Sequence, residues 1–284
     1  MYTTLLSCEE LNEQLGKSNL VVIDCRFSLA DKESGRKAHT QSHIPGAHYA
    51  HLDEDLSSAV IPGKTGRHPL PSIEAATRLF SSWGISAETQ VVAYDDKSGA
   101  IAARLWWMLR WLGHDKVAVL EGGWKHWMHK ELPTESAVPS KVPGHVFVAN
   151  PRQDLLVNVE FVETVQLNPD YKIADSRTPE RYRGEFEPID PIAGHIPGAV
   201  NIPHPGNVKT DGLWLDKDSL KERFKNVLGE VPADKTIFYC GSGVTACRNL
   251  LAHHHAGLGE AKLYPGSWSE WIQSGEREIV KNED

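Results

Sequence analysis

The feature that most constrains this chain is that it is written twice. His43-Ile44-Pro45-Gly46-Ala47 recurs as His195-Ile196-Pro197-Gly198-Ala199. Upstream, Ile23-Asp24-Cys25-Arg26 is matched by Ala174-Asp175-Ser176-Arg177. Downstream, Glu121-Gly122-Gly123-Trp124 with Trp127 is matched by Pro265-Gly266-Ser267-Trp268 with Trp271. Three landmarks in the same order at similar separations mark a duplication. The period is roughly 150 residues, whereas solenoid repeats run ~20–50, so each copy is a whole domain. The 284 residues suit two domains of ordinary size.

Each half carries the same coarse pattern. Short runs rich in Val and Ile read as buried strands: Leu20–Asp24, Gln90–Tyr94 and Lys116–Leu120, then Tyr171–Ala174, Thr236–Tyr239 and Ala261–Tyr264. Amphipathic stretches between them, such as Ser72–Trp83 and Ser219–Leu228, read as helices. The N-terminus reads as a short strand and then a helix capped by Ser7, with Glu10 three residues on. Strands alternating with helices imply an α/β fold in which each domain is a mainly parallel sheet flanked by helices on both faces. The prolines at 139, 143 and 151 mark a linker over 138–154, which leaves domains over 1–137 and 155–284.

Composition narrows the function classes. A net charge of −8, with 30 basic residues interspersed among 38 acidic ones, argues against a nucleic-acid surface. No apolar run approaches the ~20 residues of a membrane span, and no basic start followed by a long apolar core marks a signal peptide. Four cysteines, Cys8, Cys25, Cys240 and Cys247, show no zinc-type pairing. A reduced cytoplasmic setting is expected.

The chemistry is expected beyond the carboxyl end of a strand. Thr236–Tyr239 runs into Cys240-Gly241-Ser242-Gly243-Val244-Thr245, and a helix is predicted over Ala246–His255. Two glycines let the backbone curl into an anion-binding nest, and the helix N-terminus adds partial positive charge. Such a loop suits a nucleophilic sulfur without a metal. On residue type alone, a buried, inert cysteine is the commoner case.

The paired HIPGA segments, the Asp175-Ser176-Arg177 strand end and Gly266-Ser267-Trp268 resemble the tandem rhodanese-like sulfurtransferases over nearly the whole chain. Within that family, Cys240-Gly241-Ser242-Gly243-Val244-Thr245 is similar to the loop of 3-mercaptopyruvate sulfurtransferases; thiosulfate-preferring relatives place basic residues just after the cysteine. The resemblance implies that Cys240 carries sulfane sulfur as a persulfide, cradled by the N–H groups of Gly241, Gly243, Val244 and Thr245. Ser242 and Thr245 are then its polar neighbours. Arg181 matches the arginine that binds the substrate's anionic end. Asp190 stands where a second arginine is typical, nine residues on, which leaves thiosulfate open as the donor and Arg183 or another basic residue to compensate. His43 is expected near the substrate, with a purely structural role weighed equally; His195 is expected to be structural.

The first half carries Tyr94-Asp95-Asp96-Lys97-Ser98-Gly99 at the equivalent strand end. A carboxylate cannot carry sulfur, so this domain is expected to be catalytically silent. The implied reaction is a two-step transfer from 3-mercaptopyruvate through Cys240 to a thiol, thioredoxin or cyanide, releasing pyruvate. No cofactor or metal is called for, and no nucleic-acid or membrane partner. The proton donor stays open among Ser242, His43 and water. Two rival readings fit less well. A cysteine phosphatase needs an arginine at the sixth position after the cysteine, where this chain has Ala246. A rhodanese-fold binding module would have lost its cysteine, as only the first half has.

Overall fold

The Val- and Ile-rich runs form two sheets in which every pairing is parallel. The computed structural model describes residues 1–137 and 146–281. The first sheet holds β1 (Leu5–Leu6), β2 (Leu20–Asp24), β3 (His48–Tyr49), β4 (Gln90–Tyr94) and β5 (Val117–Leu120), in the order β1-β5-β4-β2-β3. The second holds β6 (Lys172–Asp175), β7 (Val200–Asn201), β8 (Thr236–Tyr239) and β9 (Lys262–Leu263), in the order β7-β6-β8-β9. The middle strands of each sheet are apolar on both sides because helices cover both faces.

Local chemistry sets the helix starts. Ser7 and Glu10 form the expected capping box ahead of Cys8–Gln14. Ser72 accepts the Ala75 N–H and starts Ile73–Ser82. The helix expected from Ser219 begins earlier, at Lys217, because the Asp216 carboxylate accepts the Ser219 N–H and is the true cap. Among the described residues no helix is long and apolar enough to cross a membrane.

The chain divides into two compact units, and they are not simply its two halves. The first comprises Met1–Ser58, Leu70–Arg152 and Val208–Trp214; the second comprises Ala59–Pro69, Gln153–Asn207 and Leu215–Asp284. Of the expected linker, residues 138–145 lie outside the described residues. Its later part is bound into the first unit, where Asn150 N–H donates to Leu112 O and Arg152 N–H to Trp111 O.

The duplicated motifs are duplicated interactions. Asp24 and Asp175, both fully buried at strand ends, accept the backbone N–H two residues on and clamp the guanidinium of Arg26 or Arg177. That guanidinium then lies over a tryptophan, Arg26 over Trp124 at 4.4 Å and Arg177 over Trp268 at 4.7 Å. Tyr94 and Tyr239 each accept the N–H of the Ile in HIPGA at 3.3 Å. Breaking such a buried pair costs about 3–5 kcal/mol, because it strands a charge in the core. These constraints act on the fold, so both halves keep them.

Candidate active site

Strand β8 delivers Cys240 to its carboxyl end, and the helix Ala246–His255 leaves from the far side of the loop. Cys240 is 2% exposed. Gly243 donates its N–H to Cys240 Sγ at 3.1 Å, with φ at +76°. The N–H groups of Ser242, Val244 and Thr245 make no hydrogen bond among the described residues. The loop thus offers the sulfur one bound donor and several unspent ones at a helix N-terminus.

The Gly266–Trp268 turn holds this loop from behind. Cys240 N–H donates to Ser267 Oγ at 3.1 Å, and Ser267 Oγ donates to Tyr264 O at 2.9 Å. Trp268 N–H reaches Cys240 O and Ser269 N–H reaches Gly241 O. Ser267 carries φ +56°, a conformation Gly123 adopts at +57° in the first unit. A serine in that strained position is held by its two hydrogen bonds, which a glycine could not make.

Arg181, on the short helix Pro179–Tyr182, forks onto Glu187 at 2.8–3.1 Å and reaches Asp190 Oδ2 at 3.1 Å. Burial pushes the Glu187 carboxyl up, but the Arg181 guanidinium and the N–H groups of Asp190 and Ile189 outweigh it and hold it below its ordinary range. For Asp190 burial prevails over Arg67 and Arg181, and its carboxyl lies above the usual range. Asp190 is paired to both Arg67 and Arg181 beside the loop. Arg183, a candidate to replace the missing arginine, instead pairs with Glu185 at 2.7 and 2.9 Å on the surface.

Two residues here carry no mark in the duplicated motifs. Arg67 pairs with Asp190, and His68 Nδ1 lies 2.7 Å from Ser242 Oγ. Both come from Gly66-Arg67-His68-Pro69, part of the early segment that belongs to the second unit. The available signal was two basic side chains in a Gly- and Pro-bounded stretch with neither helical nor strand period. Nothing local says which sheet such a stretch joins.

Of the two roles expected for His43, its contacts fit the structural one. It is fully buried in the first unit, with Nδ1 2.6 Å from His39 O and Nε2 3.1 Å from Ala137 O, and its ring stacks on His39 at 3.9 Å. Both ring nitrogens are committed to backbone, so the ring is structural. His195 makes the same contact, Nδ1 to Tyr182 O at 2.8 Å. In the first unit, Asp95 does more than stand where the second has a cysteine. Its Oδ1 accepts the N–H groups of Lys97 and Gly99, and its Oδ2 those of Ile101 and Ala102, at 2.7–2.9 Å. The carboxylate fills the loop's own anion nest.

The model of the rhodanese-like domain matches this chain twice, over residues 7–130 and 161–274. The Pseudomonas aeruginosa protein named "Probable 3-mercaptopyruvate sulfurtransferase" is 43% identical over 277 residues, covering 97% of each chain. The Bos taurus thiosulfate sulfurtransferase is 32% identical over 281 residues, covering 96% of this chain and 93% of its own. Among solved structures, 3-mercaptopyruvate sulfurtransferase from Leishmania major gives a TM-score of 0.82 at 31% identity, covering 95% of this chain and 74% of that one. With a duplicated sheet, a duplicated motif set and a family match over both copies, the chain belongs to the rhodanese-like domain family.

Proposed function

We propose that this protein is a 3-mercaptopyruvate sulfurtransferase whose sulfur carrier is Cys240. The observation that carries the reading is the Gly243 N–H on Cys240 Sγ, at the mouth of a glycine loop with further unspent N–H groups. The near full-length relatives of that name support it.

The Cys240 thiolate attacks the sulfur of 3-mercaptopyruvate. The new S–S bond forms as the C–S bond breaks, and the electron pair stays on carbon as the enolate of pyruvate. A proton then converts the enolate to pyruvate, and the Ser242–His68 pair is the donor this geometry favours over His43. The outer sulfur leaves to a thiol, reduced thioredoxin or cyanide, restoring the thiolate. Arg181 holds the substrate carboxylate, and the N–H groups from Gly241 to Thr245 stabilise charge on sulfur. All four cysteines are free, which suits a reducing, cytoplasmic setting.

Incubation with 3-mercaptopyruvate should leave the Cys240 peptide one sulfur atom heavier and release one pyruvate. Cys240→Ser should fold and transfer nothing; substantial transfer by that variant sinks the assignment. A second donor, thiosulfate, is favoured by the name of the Bos taurus relative. Side-by-side kcat/KM values decide between the donors, and no turnover of either points to a binding module.

A further inference from the structure

We infer that Arg67 is a second anion-binding arginine of the Cys240 site, positioned by Asp190, and that the pair selects a monocarboxylate donor. This rests on the sulfur-transfer reading above for the identity of the donor, but the geometry stands on its own.

Gly241, the residue after the cysteine, marks the point where the charges meet. A Cβ there would lie 3.0 Å from Arg67 Nη2, 3.3 Å from Arg181 Nη2 and 3.5 Å from Asp190 Oδ2. Two guanidinium groups from distant parts of the chain converge on a space kept open only because residue 241 has no side chain. Like charges so close need a mediator, and Asp190 is one: its Oδ1 takes Arg67 Nη1 and its Oδ2 takes Arg181 Nη2. Arg67 Nε is buried with no hydrogen-bond partner among the described residues. A buried guanidinium N–H without an acceptor is costly unless a ligand supplies one.

The backbone around Arg67 is tethered rather than loose. Its N–H donates to Ser269 Oγ at 2.9 Å, and His68 meets Ser242. A Cβ on Gly66 would fall 2.3 Å from Gly266 O, so that glycine is needed for the approach to the turn that holds Cys240. The side chain is 27% exposed, compared with 2% for Asp190, so it can be reached from solvent.

Charge then sets the preference. Arg67, Arg177 and Arg181 are linked by ion pairs to Asp175, Glu187 and Asp190. The three cations balance the three anions. A donor with one carboxylate adds a single negative charge to this cluster, whereas a dianion adds two in a partly desolvated place. Without Arg67 the same cluster is anionic before any donor arrives. Arg67 thus supplies from another segment the guanidinium that position 190 lacks.

The test is protection of Cys240 from alkylation by neutral iodoacetamide, using 3-hydroxypyruvate, which has no sulfur to transfer. Arg67→Met should raise the half-protecting concentration about tenfold to a hundredfold, Arg67→Lys less. Adding Asp190→Arg to Arg67→Met should recover most of the loss, since position 190 borders the same space. Equal protection of wild type and Arg67→Met overturns the inference, as does no protection of either. A loss that Asp190→Arg does not repair, with a changed alkylation rate in the absence of ligand, makes Arg67 structural and also overturns it. Sulfur loading of Cys240 by 3-mercaptopyruvate, read separately by mass, reports on the sulfur-transfer reading alone.

Discussion

Ser242 Oγ lies 2.7 Å from His68 Nδ1, although 174 residues separate them in the chain. The serine sits on the cysteine loop and the histidine in a segment that the second unit takes from the first half of the sequence. The pairing gives the loop a hydroxyl and an imidazole in hydrogen-bond contact, which is what donation of a proton to an enolate requires.

Ser242→Ala and His68→Gln should each lower kcat with 3-mercaptopyruvate by about a hundredfold, the ordinary worth of a positioned acid. Sulfur loading of Cys240 by a donor that releases no carbanion should fall far less. Equal losses with both donors would assign the pair to loop structure instead. Stopped-flow persulfide formation, followed donor by donor, separates the two.

The two loop glycines should fail differently. Gly243→Ala combines φ +76° with a Cβ only 2.4 Å from Pro265 O, a backbone atom that cannot yield. It should cost about 3 kcal/mol or more in urea unfolding. Gly241→Ala meets only the ends of flexible side chains, Arg67 and Arg181. Its stability should change by less than about 1 kcal/mol, while KM for 3-mercaptopyruvate rises about tenfold.

Asp95 should be a stability residue of the first unit. Its carboxylate accepts four backbone N–H groups, and Asp95→Asn turns an amide NH₂ toward donors it cannot serve. A loss of about 2–4 kcal/mol in urea unfolding is expected, with Cys240 still able to take up sulfur. An unchanged unfolding midpoint would contradict this reading of the loop.

His253 should make the fold acid-sensitive. Burial holds its imidazole down to about 4, against the opposing pull of the Gly259 carbonyl at 3.1 Å. Its folded pKa is depressed, so the unfolded chain binds a proton that the folded chain refuses. Stability is whole above about pH 6.5 and falls as the pH drops toward 4, by up to ~1.4 kcal/mol per pH unit. Urea unfolding at about pH 7.5 and about pH 5 should show His253→Leu losing about 2 kcal/mol less than wild type over that interval.

Much of this molecule was legible before any coordinates. The parallel strands, the helix over Ala246–His255 and the glycine loop after Cys240 follow from period and local backbone chemistry. So does the carboxylate at the first strand end, where Asp95 stands in the cysteine's place. Boundaries differ where two capping residues compete, as at Asp216 and Ser219. For His43 the sequence leaves a substrate role and a structural role equally open, because two identical motifs carry no sign of which copy meets a ligand; both histidines bind backbone carbonyls.

The sequence by itself determined the duplicated fold and the glycine loop beside the Cys240 sulfur, because these depend on contacts a few residues apart or on a pattern repeated whole. Only the tertiary structure decided what surrounds that sulfur. Arg67 meets Asp190 and His68 meets Ser242 from a segment without periodicity, and Asp190, a liability when read in line, bridges two arginines. A side chain's worth near a reacting atom is set by distances of a few ångströms in space, and a linear spacing does not encode those when the partners come from different halves of the chain.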